Sequence, residues 1–347
     1  MTDRLPKFLK KNLYRLDPDF QVLKVVKNRY PRIAFQVRIK DGIFLIKALQ
    51  SRFPWIRASR HFRFHKERFI YKHLGDVEFH FFRHPKVYHV GNSFFITEFI
   101  PNDTSLKKDS AYYESAINGI AEFNTSDFPC ERHGCIGWVW EKLNRLKFAK
   151  SAKTLRTLCV GFFVKRKLPL RVFLKSLAFW KQSMAKTQRL TPPIIVHRDI
   201  FHGNILRPSS NQVVFVDFEK MGLEKRWFFI DALRLIQADP LFIKDASGSD
   251  ENNVKYGFPR FYAPVLVKYW NFLLERRPDI DGGDDHFRRQ LRFSLLDWTL
   301  HKLVKEKHGK EVNAMLVTFI ESVIMGRHEQ FEQWFRRLPH PDAENRL

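Results

Sequence analysis

A chain of 347 residues can hold a full core, and a 44% hydrophobic composition with 35 phenylalanines excludes a disordered polymer. The 61 lysines and arginines against 37 acids leave a formal charge of +24, which calls for an anionic partner or a heavily solvated surface. Three cysteines make no even disulfide framework, the first ten residues lack the apolar centre of a secretory signal, and no stretch reaches the roughly 18 apolar residues of a membrane span. The expected compartment is the reducing cytoplasm.

Taken in chain order, residues 1–23 form a basic N-terminal segment. Within it Leu5-Pro6-Lys7-Phe8-Leu9-Lys10-Lys11-Asn12-Leu13 reads as a short amphipathic stretch suited to a membrane interface. Residues 24–103 read as a strand-rich part with one helix. Val25 to Lys47 alternates as a meander broken at Pro31 and at Asp41-Gly42. Lys47 ends the apolar run Gly42-Ile43-Phe44-Leu45-Ile46, and a lysine in a buried strand needs a partner. Twenty residues on, Glu67 lies on a helical pattern whose apolar stripe is Phe69, Ile70 and Leu74. It could pair with Lys47, or be one charge on a solvated face. The run Ser93 to Pro101 reads as a further strand.

Residues 104–338 are predicted to be mainly helical, with helices over 170–190, 258–274, 287–307 and 312–338, a surface loop over 245–253, and a loose tail at 339–347. Cys130, His133 and Cys135 supply three zinc-type ligands without a clear fourth, which fits loop residues better than a structural metal site.

The segment from Val196 to Glu219 is where chemistry concentrates. Asp199 is followed five positions later by Asn204, and Asp217 closes the apolar run Val213-Val214-Phe215-Val216. Phosphoryl transfer from ATP needs a carboxylate beside the acceptor hydroxyl and oxygen ligands for Mg²⁺ on the phosphates, and these three residues meet that inventory. His202, beside Gly203, reads as packing of this loop, since Asp199 already supplies an acid–base group.

Asp199, Asn204 and Asp217 resemble the HRDxxxxN and DFG elements of kinases, and Leu45-Ile46-Lys47 resembles the strand whose lysine holds the α- and β-phosphates. The resemblance implies an α+β, two-lobed protein-kinase-like fold, with a small β-rich N-lobe and a larger helical C-lobe. It implies ATP and Mg²⁺ as cofactors and Asp199 as the catalytic base. Asn204 and Asp217 would be metal ligands, with Glu219 in support. Lys47 would bind phosphate, held by Glu67. Backbone groups near Glu98 and Ile100 would receive the adenine. Asp231 would brace the catalytic loop through backbone amides; otherwise it is an ordinary residue at a helix start.

Glu219 replaces the DFG glycine, only thirteen residues separate Asp217 from Asp231, and no A-P-E element follows, all of which favour small-molecule phosphotransferases over regulated protein kinases. Within that group the segments 95–100 with Thr104-Ser105-Leu106, 216–220, and Lys225-Arg226-Trp227 leading to Asp231-Ala232-Leu233 resemble bacterial lipopolysaccharide kinases acting on Kdo or heptose. The basic insert from Arg52 to Arg63, with Trp55, is similar too. Aminoglycoside and choline phosphotransferases share HxDxxxxN and D-F-E and are the nearest alternative. A departure is the lack of any glycine between Gln21 and Lys40: Lys27-Asn28-Arg29-Tyr30-Pro31-Arg32 stands where a glycine-rich phosphate loop is usual.

Between Lys142 and Arg189 there are lysines at 142, 147, 150, 153, 165, 167, 175, 181 and 186, arginines at 145, 156, 166, 171 and 189, and no acid. Such a stretch suits an anionic membrane or glycolipid. It could also be solvated helix faces, and nucleic acid has no motif behind it. The expected partner is therefore a sugar or glycolipid acceptor at the inner face of the bacterial inner membrane. The alternatives are a soluble-substrate kinase and a catalytically inactive basic scaffold.

Overall fold

The computed structural model describes residues 5–50, 58–74, 77–101, 110–126, 148–187, 194–200, 203–207, 212–224, 228–237, 266–305 and 309–325. Residues 52–57 of the basic insert, the Thr104-Ser105-Leu106 segment, Cys130, His133, Cys135, His202, Lys225-Arg226-Trp227 and the 245–253 stretch lie outside them. The chain divides into two compact units: Met1–Ala116 with His202–Met221, and Ile117–Phe201 with Gly222–Leu347.

The first unit is built on a five-stranded antiparallel sheet in the order β1-β2-β3-β6-β5. Its strands are β1 (Gln21–Arg29), β2 (Arg32–Ile39), β3 (Gly42–Leu49), β5 (Val87–Val90) and β6 (Phe94–Glu98). The first three are the meander that the alternation predicts. Alternation puts Ile33, Phe35 and Val37 of β2 on one face, where they join Ile46, Ala48, Phe94 and Ile96 in a buried core. On this face sits helix α1 (Lys7–Leu16), with Leu9 and Leu13 fully buried one turn apart. Asp17, just beyond α1, accepts the Lys40 amide at 2.7 Å and so ties the helix to the β2–β3 turn. The N-terminal amphipathic stretch is therefore part of the core. Its apolar side packs on the sheet and is not available to a membrane, which corrects the expectation from its charge pattern.

The opposite face of the sheet carries Ala34, Lys47 and Phe95, which are register partners in turn across β2, β3 and β6. Helix α2 (Ala58–Leu74) lies here: Phe64 and Tyr71 pack their rings 5.5 and 5.3 Å from Phe95. A second sheet joins β4 (Phe82–Arg83), β9 (Val213–Phe215) and β8 (Ile205–Leu206), with Phe82 stacked on Phe215 at 4.6 Å.

The second unit is helical apart from the β7 (Ile194–Val196) and β10 (Gly222–Glu224) pair. Its helices are α4 (Phe148–Cys159), α5 (Leu170–Thr187), α6 (Ile230–Gln237), α7 (266–276), α8 (Asp284–Lys305) and α9 (Lys310–Met325), preceded by the C-terminal half of α3 (Ser110–Thr125). Phe229, Tyr269, Trp270 and Phe287 form an aromatic core, with Phe229 and Trp270 stacked at 5.6 Å. The first unit is thus mainly β-sheet and the second mainly helical, the mixed α+β content that the motifs imply.

Burial of Leu9 makes α1 a structural element whose loss should be felt in solution. Leu9→Ala should lower the unfolding free energy by about 2–5 kcal/mol in urea melts without lipid. A neutral result would return α1 to the role of a detached interfacial arm.

Candidate active site

Lys47 points from the middle of β3 into a nest of carboxylates. Its ammonium donates to Glu67 Oε1 at 2.6 Å and to Asp217 Oδ1 at 3.1 Å. Glu67 reaches it from α2 and is almost fully buried, while Lys47 and Asp217 keep about a fifth of their side-chain surface exposed. Burial pulls the lysine down, but Asp217 and Glu67 outweigh it and hold the ammonium above its usual range. Burial dominates at Glu67 and raises its carboxyl to about 7 against the pull of Lys47. Tyr71, one helical turn on from Glu67, packs against Phe218 and buries its hydroxyl beside the Asp217 backbone.

Asp217 and Asn204 are tied to one end of the same hairpin. Ile205 pairs with Phe215, and the Val216 amide donates to the Asn204 carbonyl at 3.0 Å. Asp217 then takes a left-handed conformation, φ 66° and ψ 55°, that turns the chain out of β9 into the helical turn Phe218–Lys220. A non-glycine residue there costs about 1–3 kcal/mol and persists only where packing enforces it. Phe218, fully buried against Tyr71, supplies that packing.

Glu219 is the next acid, buried to 6% exposure of its side chain. Arg32 Nη1 donates to its Oε2, and Arg63 Nη1 lies 3.7 Å from Oε1. Glu67, Asp217 and Glu219 each offer an oxygen within 4.8 Å of the others, a hard-oxygen set of the kind that divalent ions prefer. Lys47 and the two arginines interleave with these acids. Asp217 thus offers an oxygen to a divalent ion, while both oxygens of Glu219 lie opposite guanidinium groups.

Lys27 of β1 pairs in register with Ala34 of β2, which pairs with Lys47. A β-bulge between Val25 and Lys27 changes the parity of β1, so Val25 stays against the core and Lys27 moves to the Lys47 face. Only the small Ala34 separates the two lysines. Burial draws the Lys27 ammonium down, Asp217 opposes this, and Lys47 and Arg32 add to it. Glu98, at the end of β6, uses its carboxylate on Arg83 at 2.7 and 3.2 Å and on the Lys86 amide. Its own amide donates to the Lys86 carbonyl at 2.8 Å, and the Phe99 amide to Ile43.

In the second unit the loop bearing Asp199 is held from beneath. Asp231, fully buried, accepts the amides of His197 at 2.6 Å and Arg198 at 2.8 Å. It thus braces this loop as the resemblance implies. Asn124 donates to the Ile195 carbonyl and to Asp231, and Tyr269 donates either to Asn124 Oδ1 or to the Phe228 carbonyl. Arg198 is left-handed at φ 64°. Its guanidinium lies over Gly222, where a Cβ would come within 2.6 Å of it. Arg234 Nη1 donates to the Arg198 carbonyl and lies 3.3 Å from Asp199 Oδ1.

Lys47, Glu67, Asn204, Asp217 and Glu219 are therefore gathered within the first unit, and Asp199 and Asp231 within the second. The sequence pattern did not single out Tyr269 or Arg234, and for Asn124 the one hint was an asparagine in the apolar run of α3.

The raised Glu67 carboxyl has a thermodynamic consequence. Between the ordinary value of 4.5 and about 7 the folded chain keeps a proton that the unfolded chain has released, so stability falls as pH rises through that window. The unfolding free energy of wild type relative to Glu67→Gln should drop by about 3 kcal/mol from pH 4.5 to pH 8. A pH-independent difference would show that Glu67 ionises as an ordinary carboxyl.

No protein-family model matches the chain, and no curated protein sequence matches it. Solved structures do resemble it. An apo thermostable mutant of aminoglycoside phosphotransferase APH(4)-Ia is 13% identical with a TM-score of 0.49, covering 94% of this chain and all of that one. An aminoglycoside phosphotransferase from Alicyclobacillus acidocaldarius is 13% identical with a TM-score of 0.47, over 91% and 93% of the two chains. The gentamicin complex of APH(2")-IIa is 12% identical with a TM-score of 0.44, over 95% and 99%. Likenesses of this degree carry no functional conclusion by themselves.

Proposed function

We propose that this protein is an ATP-dependent phosphotransferase with a hydroxyl acceptor, and that the acceptor is a sugar of a bacterial envelope glycolipid of the lipopolysaccharide inner core. The observation that carries the phosphotransfer reading is Lys47 held between Glu67 and Asp217. A partly buried ammonium fixed by one acid and set beside a second suits a bound triphosphate, because Glu67 orients the cation while Asp217 could hold a divalent metal. Magnesium, if held by Asp217 and Asn204, would neutralise charge that develops on the transferring group.

The remaining roles belong to side chains. Lys47 steadies the α- and β-phosphates, and Lys27, on the same sheet face, adds the positive charge that backbone amides of a glycine loop would bring. The Glu98 carbonyl and Ile100 amide receive the adenine. Asp199 takes the acceptor hydroxyl proton as the oxygen forms its bond to the γ-phosphorus and the bond to the ADP oxygen breaks. Asp231 and Asn124 hold the loop in which Asp199 sits.

The acceptor class rests on two supports: the similarity of segments 95–100 and 216–220 to lipopolysaccharide kinases, and the acid-free basic stretch from Lys142 to Arg189. A lipid-anchored, phosphorylated sugar accounts for both, and places the enzyme on the inner face of the inner membrane as a peripheral protein.

Labelled γ-phosphate should pass from ATP to extracted lipopolysaccharide in the presence of Mg²⁺, and Asp199→Ala should abolish it. Transfer to a soluble amino-sugar or alcohol but not to the glycolipid would keep the kinase and remove the acceptor. Activity unaffected by Asp199→Ala would remove the mechanism. Lys27→Ala should raise the KM for ATP by about tenfold, the loss of one charged phosphate contact, with kcat little changed. An unchanged KM would mean that Lys27 does not touch the nucleotide.

A further inference from the structure

The turn between α4 and α5 exposes apolar surface that the fold does not require. Ten large hydrophobic residues are exposed among the described residues. Four of them fall within twelve positions: Phe163 at 65%, Val164 at 68%, Leu170 at 58% and Leu174 at 53%. Leu170 and Leu174 lie one turn apart at the start of α5. Single exposed apolar side chains need no explanation, but a clustered set of this size marks an interaction surface.

The tip is held in shape. After α4 the chain makes a wide π-turn, Val160–Val164, closed by the Lys165 amide to the Val160 carbonyl at 2.8 Å and the Lys167 amide to Gly161 at 2.9 Å. Gly161 is seated so closely that a Cβ would come within 2.9 Å of Val304 and 3.0 Å of Leu168. The Lys167 ammonium donates to the Leu303 carbonyl at 2.6 Å, anchoring the turn to α8. Phe162 stacks on the buried Phe173 at 4.4 Å, and Phe163 meets the same ring edge-on at 5.6 Å. Phe163 is thus presented outward on a packed base.

Cations surround these side chains. Lys165 and Arg166 follow directly and are exposed, Arg166 in the left-handed region at φ 50°. Arg171 and Lys175 adjoin Leu170 and Leu174 along α5. Arg171 is 63% exposed and lies 3.7 Å from Glu321. The surrounding sequence, from Lys142 to Arg189, contains no acid.

We propose that this tip is a docking surface for an anionic lipid bilayer, with Phe163, Val164, Leu170 and Leu174 entering the interface and Lys165, Arg166, Arg171 and Lys175 meeting the headgroup phosphates. Apolar and cationic groups alternating over one small, rigid projection match the acyl–phosphate boundary of a membrane. Nucleic acid would use the cations but leave the four apolar side chains in water. The docking deepens the glycolipid reading and rests on it for its purpose, since a membrane-anchored acceptor must be met at the membrane.

The test uses the full chain and flotation with vesicles of phosphatidylcholine alone or with about 30% phosphatidylglycerol. Wild type should float with the anionic vesicles, and part of that binding should survive high salt because it is apolar. The double variant Phe163→Ser with Val164→Ser should lose about tenfold in partitioning at an unchanged thermal midpoint, and Leu174→Gln should lose severalfold by itself. Lys165→Gln with Arg166→Gln should weaken binding and flatten its salt dependence. Wild type that does not float, or a serine double variant that floats as well as wild type, overturns the proposal. So does a serine variant that alters only self-association, which would assign the tip to a second copy. Phosphate transfer to detergent-dispersed lipopolysaccharide, measured in parallel, separates the two readings: its loss in wild type removes the acceptor, and its presence without flotation removes only the docking surface.

Discussion

A lysine ammonium in the middle of a β-strand is the constraint around which the first unit is arranged. Lys47 could not be buried alone, because an unpaired charge in a poorly solvated site costs several kcal/mol. Glu67 comes to it from α2 and Asp217 from the end of β9, so three elements distant in sequence converge on one nitrogen. Glu67 is so enclosed that burial raises its own carboxyl against the pull of Lys47. The value of the arrangement is orientation: a cation fixed to within a hydrogen bond, ready for an anion larger than either acid.

The sheet separates support from chemistry by parity. One face, closed by α1, holds the apolar core around Phe35, Ile46 and Ile96. The other carries Lys27, Ala34 and Lys47 in register. The small side chain at Ala34 leaves room between the two lysines, and the bulge in β1 places Lys27 beside them. That face thus carries two fixed cations separated by one small side chain.

The second unit solves a different problem. The loop carrying Asp199 must be rigid although its backbone is left-handed at Arg198. Asp231 satisfies two consecutive amides of that loop, Asn124 and Tyr269 complete the buried network, and Arg234 bridges the Arg198 carbonyl to Asp199. These bonds join the backbone of the loop to one buried network, and such networks rigidify what they hold.

Much of this was legible in the residues. The meander over 25–47 and the long helix beginning at Leu170 follow from periodicity, because local patterns are set by neighbours in the chain, whereas Lys47, Glu67, Asn204, Asp217 and Asp231 were singled out by their resemblance to kinase motifs. Tertiary structure alone decided the rest. The apolar side of α1 could have faced a membrane, and only the sheet beside it shows that Leu9 and Leu13 are core. Strict alternation would put Lys27 on the same face as Val25, and only the bulge sends it to the Lys47 face. Only the fold shows that Arg32 and Arg63 lie across from Glu219. Sequence by itself determined which chemical groups are present and the order in which they occur; which of them meet, and which face is spent on packing, depended on contacts between residues far apart in the chain, which no local pattern records.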